Sequence, residues 1–114
     1  MDPHELRVNA RRASILLKAM ANERRLEILC HLAGGEHSVS ALERLLGLSQ
    51  SALSQHLARL RLDGLVRTRR SAQTIYYRLD GHQAEVVMTA LHSLFCGAGT
   101  DDKAKPDSQP LSTR

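Results

Sequence analysis

Aromatic residues are nearly missing from this chain: of its 114 residues one is Phe, two are Tyr and none is Trp. An interior with so few rings has to be filled by Leu, Ile, Val and Ala, which suits helices packed on one another. Cysteine is as scarce, present only as Cys30 and Cys96. That excludes a disulfide-stapled secreted scaffold. The opening MDPHELRVNARR lacks the apolar core of a secretory signal, so a cytoplasmic protein with reduced thiols is expected. No stretch approaches the roughly 18 consecutive apolar residues of a membrane span, so no membrane partner is expected. Paired carboxylates and glycine-rich loops are also missing, and nothing in the pattern points to an enzyme.

Acidic residues are depleted in one place. Positions 49–79 hold six arginines (Arg59, Arg61, Arg67, Arg69, Arg70 and Arg78) against Asp63 alone, whereas the whole chain carries a net +4. The excess is therefore local. Arginines gathered in one segment are the footprint of a phosphate-binding surface.

The apolar pattern divides the chain into short elements. ELRVNARRASILLKAM (5–20) reads as a helix with Ala13, Leu16, Leu17 and Met20 on one face. Asn22 caps a second helix, ERRLEILCHLA, whose apolar stripe is Leu26, Leu29, Cys30 and Ala33 and whose stop is Gly34-Gly35. Ser38 or Ser40 opens a third, Ser40 with Glu43 fitting a capping box, and Gly47 closes it. Ser49 caps a fourth, QSALSQHLARLRLD, with Leu53, Leu57 and Leu60 inward and Ser51, Gln55 and Ala58 outward. The period then changes to two: LVRTRR and TIYYRL, separated by SAQ, form a hairpin. A last helix, about 82–96, carries Val86, Val87, Ala90, Leu91, Leu94 and Phe95, more apolar surface than one small core needs. From Gly97 the chain turns polar, and 97–114 is expected to be a disordered tail beside one domain over 1–96.

The expected fold is thus mainly α with a small β-hairpin: a winged helix-turn-helix. Its fourth helix suits the major groove. Gln50, Ser51, Ser54 and Gln55 stand where base edges would be read, and Arg59, Arg67, Arg69 and Arg70 where phosphates would be neutralised. Double-stranded DNA is the expected partner.

The stretch LSQSALSQHLARLRLDGLVRTRRSAQTIYYRL, with LKAMANERRLEIL before it, resembles the ArsR/SmtB family of winged-helix repressors. The resemblance implies a homodimer joined through the first and last helices. It departs at the hairpin tip, where Ser71-Ala72 stands in place of a frequent Asp-Gly. Cys30 in EILCHL and Cys96 in LHSLFC are similar to the thiol pair of the BigR/SqrR subgroup. That implies a repressor that senses reactive sulfur species through an intraprotomer di- or polysulfide bridge and then releases its operator. His92, four residues before Cys96, is the candidate modulator of that thiol; its other reading is a histidine at the dimer seam. Two further readings stay open: a metal-responsive repressor using the cysteines and His92, and an HlyU-like redox-sensitive antirepressor. The third helix, VSALERL, lacks the family's Cys-x-Cys metal pair, and Asp80-Gly81-His82 supplies only half of another, so neither metal nor cofactor is expected.

Overall fold

Most helix ends are decided by capping groups close in sequence. The computed structural model describes residues 1–95; Cys96 and the expected tail lie outside them. Helix α1 spans Pro3–Met20. The Asp2 carboxylate accepts the Glu5 N–H at 2.9 Å, and Glu5 accepts the Asp2 N–H at 3.3 Å. This reciprocal cap, with Pro3 in the first turn, starts the helix two residues before the expected Glu5. Helix α2 spans Glu23–Ala33, and Asn22 accepts the Arg25 N–H at 3.0 Å. Arg25 Nε in turn donates to the Ala19 carbonyl at 2.8 Å, satisfying an open acceptor at the end of α1.

Strand β1, His37–Ser38, precedes helix α3, Val39–Leu46. Ser38, not Ser40, caps α3, accepting the Ala41 N–H at 3.1 Å. Gly47 closes it at φ +66°, a left-handed conformation suited to glycine. Helix α4 spans Gln50–Leu62, and its cap, Ser49, accepts the Ala52 N–H at 3.2 Å. Strands β2 (Val66–Ser71) and β3 (Thr74–Leu79) form the hairpin, and α5 runs His82–Phe95. The sheet is antiparallel in the order β1-β3-β2, so the two residues of β1 add a third strand to the expected two.

The core is apolar throughout: no polar side chain is buried among the described residues. Ile28 and Leu29 of α2, Leu42 of α3, and Leu53 and Leu60 of α4 are completely enclosed, and Leu57, Leu65, Val66, Ala84 and Met88 close around them. Helix α2 sits centrally, packed against α3, α4, α5 and β3. Its buried side is Ile28, Leu29 and Leu32, while Cys30 and Ala33 are exposed. The expected stripe was therefore rotated. Cys30 lies a full 100° step past Leu29, on the outward side.

Helix α1 also departs from expectation. Only Ala19 and Met20 are buried; Leu16 is half-buried, and Ala13 and Leu17 are exposed. Leu6, Ala10, Ala13 and Leu17 recur at helical spacing and form an apolar stripe facing solvent in the single chain. On α5, Ala84 and Met88 turn inward, whereas Val86, Ala90 and Leu94 line the opposite, exposed side.

The hairpin tip carries backbone strain. Ser71 pairs with Thr74, leaving a two-residue loop, and Ala72 sits there at φ +56°. A positive φ at the first loop residue alone is the pattern of a II′ turn, which favours glycine. A side chain in that region costs ~1–2 kcal/mol. Glycine gives back part of this through its freer unfolded chain, ~0.4–1 kcal/mol. Ala72→Gly is expected to stabilise the fold by roughly 0.5 kcal/mol, read as a raised urea midpoint with unchanged slope; a lowered midpoint refutes it.

Candidate nucleic-acid interface

Helix α4 divides cleanly by face. Leu53, Leu57 and Leu60 anchor it in the core. The 100° step turns Ser51, Ser54, Gln55 and Ala58 away from that anchor, and all four are exposed, as is Gln50 at the helix start. Gln50, Ser54 and Gln55 make no side-chain hydrogen bond among the described residues. Ser51 Oγ lies 3.4 Å from the capping Ser49 Oγ. The outward face is thus small, polar and largely uncommitted.

One flank of α4 borders a cleft of about 770 Å³ whose walls include Gln50, Ser54 and Arg61 on the helix, Glu43 on α3, and Gln73 and Thr74 at the hairpin tip. Arg61 belongs to the basic cluster of the sequence but not to the expected site. Its position seven residues after Ser54 was the signal, since that spacing returns to nearly the same helix face.

The hairpin also has two faces. Val66, Thr68 and Arg70 share one, opposite Leu79, Tyr77 and Ile75. Arg67 and Arg69 share the other, opposite Arg78 and Tyr76. The arginines differ in their engagements. Arg61, Arg67, Arg70 and Arg78 form no ion pair among the described residues. Arg59 Nε holds Asp63 Oδ2 at 2.8 Å, an exposed pair one turn apart on the helix. Arg69 grips Glu36 with two nitrogens, at 2.7 and 3.0 Å, and its guanidinium stands 4.5 Å over the Tyr76 ring. These hydrogen bonds hold the Glu36 carboxyl below its ordinary pKa and push Arg69 above its own. Neither Glu36 nor Tyr76 was singled out in the sequence, because the contacts joining them to Arg69 are made by folding.

A short helix, a Gly-Leu-Ser corner, a second helix with a polar outer face, and an arginine-bearing hairpin define a winged helix-turn-helix. The family model for bacterial regulatory proteins of the arsR family matches residues 22–68. Transcriptional activator HlyU of Vibrio cholerae is 54% identical over 98 residues, 86% of this chain and 91% of that protein. The crystal structure of HlyU from Vibrio vulnificus superposes with a TM-score of 0.81 at 55% identity, covering 84% of this chain and 100% of that one. The repressor BigR from Xylella fastidiosa gives 0.78 at 36% identity, covering 89% and 100%. The chain belongs to the ArsR family of bacterial regulatory proteins, and that membership makes it a DNA-binding regulator rather than an enzyme.

The expected sulfur sensor is overturned. Similarity runs to HlyU at 54–56% identity and falls to 36% for the Xylella BigR structure, so the BigR/SqrR assignment does not stand. No disulfide forms among the described residues. Cys30 faces outward on α2, where it was expected on the buried stripe, and its supposed partner Cys96 lies outside the described residues. His92 is exposed on α5. The reactive-sulfur inducer and the dithiol switch drop out with the subgroup. The metal alternative gains no site either, since no three His, Cys, Asp or Glu side chains gather as ligands among the described residues. Nor is any described helix long and apolar enough to cross a membrane.

Proposed function

We propose that this chain is a cytoplasmic, homodimeric transcription regulator of the HlyU kind, acting on duplex DNA as an antirepressor: by holding a site it displaces a competing repressor. The observation that carries the reading is the outward face of α4, polar and largely uncommitted, beside a hairpin whose Arg67 and Arg70 form no ion pair among the described residues. Gln50, Ser51, Ser54 and Gln55 would meet base edges in the major groove. Gln suits a bidentate contact with adenine, and Ser can pair with several bases. Arg59, Arg67 and Arg70 would lie on phosphates; the exposed Arg59–Asp63 pair is weak enough to yield to one. The outward stripes of α1 and α5 would join two copies, so that residues 1–96 serve both DNA binding and dimerisation.

The test is affinity against salt, by fluorescence anisotropy, on a duplex selected by the protein from a randomised pool. Each neutralised phosphate contributes about 0.9 to the log–log slope. Arg70→Ala, present twice in a dimer, is expected to lower the slope by about 1.8 while weakening all sequences alike. Duplex affinity indifferent to salt overturns the DNA-binding reading. An antirepressor also leaves transcription from a repressor-free template unchanged in vitro; a direct rise there would point to contact with the polymerase instead.

A further inference from the structure

Arg69 is the best-anchored cation of the hairpin, and its anchor lies outside the hairpin. Glu36 stands 33 positions earlier, in the turn between α2 and β1. In the sheet order β1-β3-β2, Arg69 projects from the edge strand β2 and lies over Tyr76 of β3. Beyond that ring it meets Glu36, just ahead of β1 on the opposite edge. The contact therefore spans the width of the sheet and ties the hairpin to the end of α2. Two donors and one face of the guanidinium are already used. Binding a phosphate would mean giving up two charge-assisted bonds and a stacking contact. Arg67 and Arg70 bear no such cost. On the same outer face, Arg67 and Arg78 stand opposite each other as like charges, a repulsive pair that leaves this part of the hairpin in need of an external restraint.

We propose that Glu36, Arg69 and Tyr76 form a strut that sets the attitude of the hairpin toward α4. Arg69 is then a positioning residue, not a phosphate ligand, and Glu36 is an acidic residue that promotes binding to a polyanion. The inference rests on the DNA-binding reading above and adds to it which hairpin arginines are available to phosphate.

The sign of the Glu36→Gln effect decides it. Removing a negative charge near a DNA-binding surface strengthens association when only charge matters. If Glu36 merely restrained a phosphate ligand, E36Q would also release Arg69, and affinity for the selected duplex would rise. With a strut, affinity falls, by about fivefold in line with a coupled pair. The charge swap E36R/R69E gives a second reading. It restores a bridge without restoring a cation to the hairpin; measured against E36R/R69Q, which carries one more positive charge and no bridge, a strut predicts tighter binding by the swap, and charge alone predicts weaker binding. A third measurement separates positioning from fold stability: Arg70→Ala should cost less affinity in the E36Q background than in the wild type, because the hairpin no longer holds Arg70 in place. Exposed ion pairs add little stability, so these variants should fold, and circular dichroism checks it. Tighter binding by E36Q, no gain from the swap, or an unchanged Arg70→Ala cost each overturns the strut. A wild-type protein whose duplex affinity ignores salt defeats the DNA-binding reading itself, and that result is distinct from all three.

Discussion

Leu17→Glu combined with Leu94→Glu is expected to yield a folded monomer whose affinity for a two-half-site duplex is lower by a factor on the order of 10²–10⁴. Both side chains are open to solvent in the single chain, at 55% for Leu17 and 72% for Leu94, so replacing them removes little from the protomer's own core. Each lies on a stripe that continues along its helix: Leu6, Ala10, Ala13 and Leu17 on α1, and Val86, Ala90 and Leu94 on α5. Contiguous exposed apolar surface of this kind marks an interaction site. The small residues Ala10, Ala13 and Ala90 would let a partner helix approach closely. A carboxylate placed in a dimer seam would lose its hydration without gaining a partner. Sedimentation equilibrium should then show half the wild-type mass with an unchanged circular dichroism spectrum. Affinity falls because the two reading helices of a dimer act as one bivalent ligand, each holding the other near its half-site. A variant that stays dimeric, or a monomer that binds as tightly, would place the seam elsewhere or remove the need for it.

The same pair of helices shows what could be read from the residues and what could not. Periodicity found α1 and α5 and noticed that α5 had apolar surface to spare. It could not divide α1 correctly, since a residue facing a second copy carries the same hydrophobic signal as one facing the core. Ala13 and Leu17 were placed on one face with Leu16 and Met20, whereas they are exposed and Met20 is buried. Caps were legible where a single short-range signal decided them, as at Asn22, Gly47 and Ser49. They were ambiguous where two serines competed, and the backbone chose Ser38 because β1 delivers it in an extended conformation, φ −75° and ψ 162°. Strand β1 itself was not legible. Two residues carry no period, and their pairing with Tyr76 and Tyr77 is a long-range event. The Glu36–Arg69 contact was hidden for the same reason. Cys30 was misplaced because Leu26, Leu29, Cys30 and Ala33 satisfy helical spacing as well as Ile28, Leu29 and Leu32, the residues that form the buried side of α2.

On α4, neighbouring residues should separate folding from recognition. Leu53 is fully enclosed, and Ser54 and Gln55 directly after it are exposed. Leu53→Ala leaves a cavity between α4 and the rest of the core, and such truncations cost ~2–5 kcal/mol. A domain of this size has only ~5–15 kcal/mol in total, so the variant should show a large drop in urea midpoint at fixed protein concentration. Its duplex binding should fall only as far as its folded fraction does. Gln55→Ala should do the reverse. An exposed side chain without an internal hydrogen bond leaves stability within ~0.5 kcal/mol of wild type. Loss of a bidentate base contact, however, costs ~1–3 kcal/mol of discrimination at one base pair. That means a roughly 5- to 150-fold weaker hold on the selected duplex, with the salt slope intact because no phosphate contact is removed. Measuring both variants on the selected duplex and on one altered at single positions tests the division. If Gln55→Ala lowers the salt slope, or weakens every duplex equally, Gln55 touches the backbone and the base-reading face of α4 must be drawn around other residues.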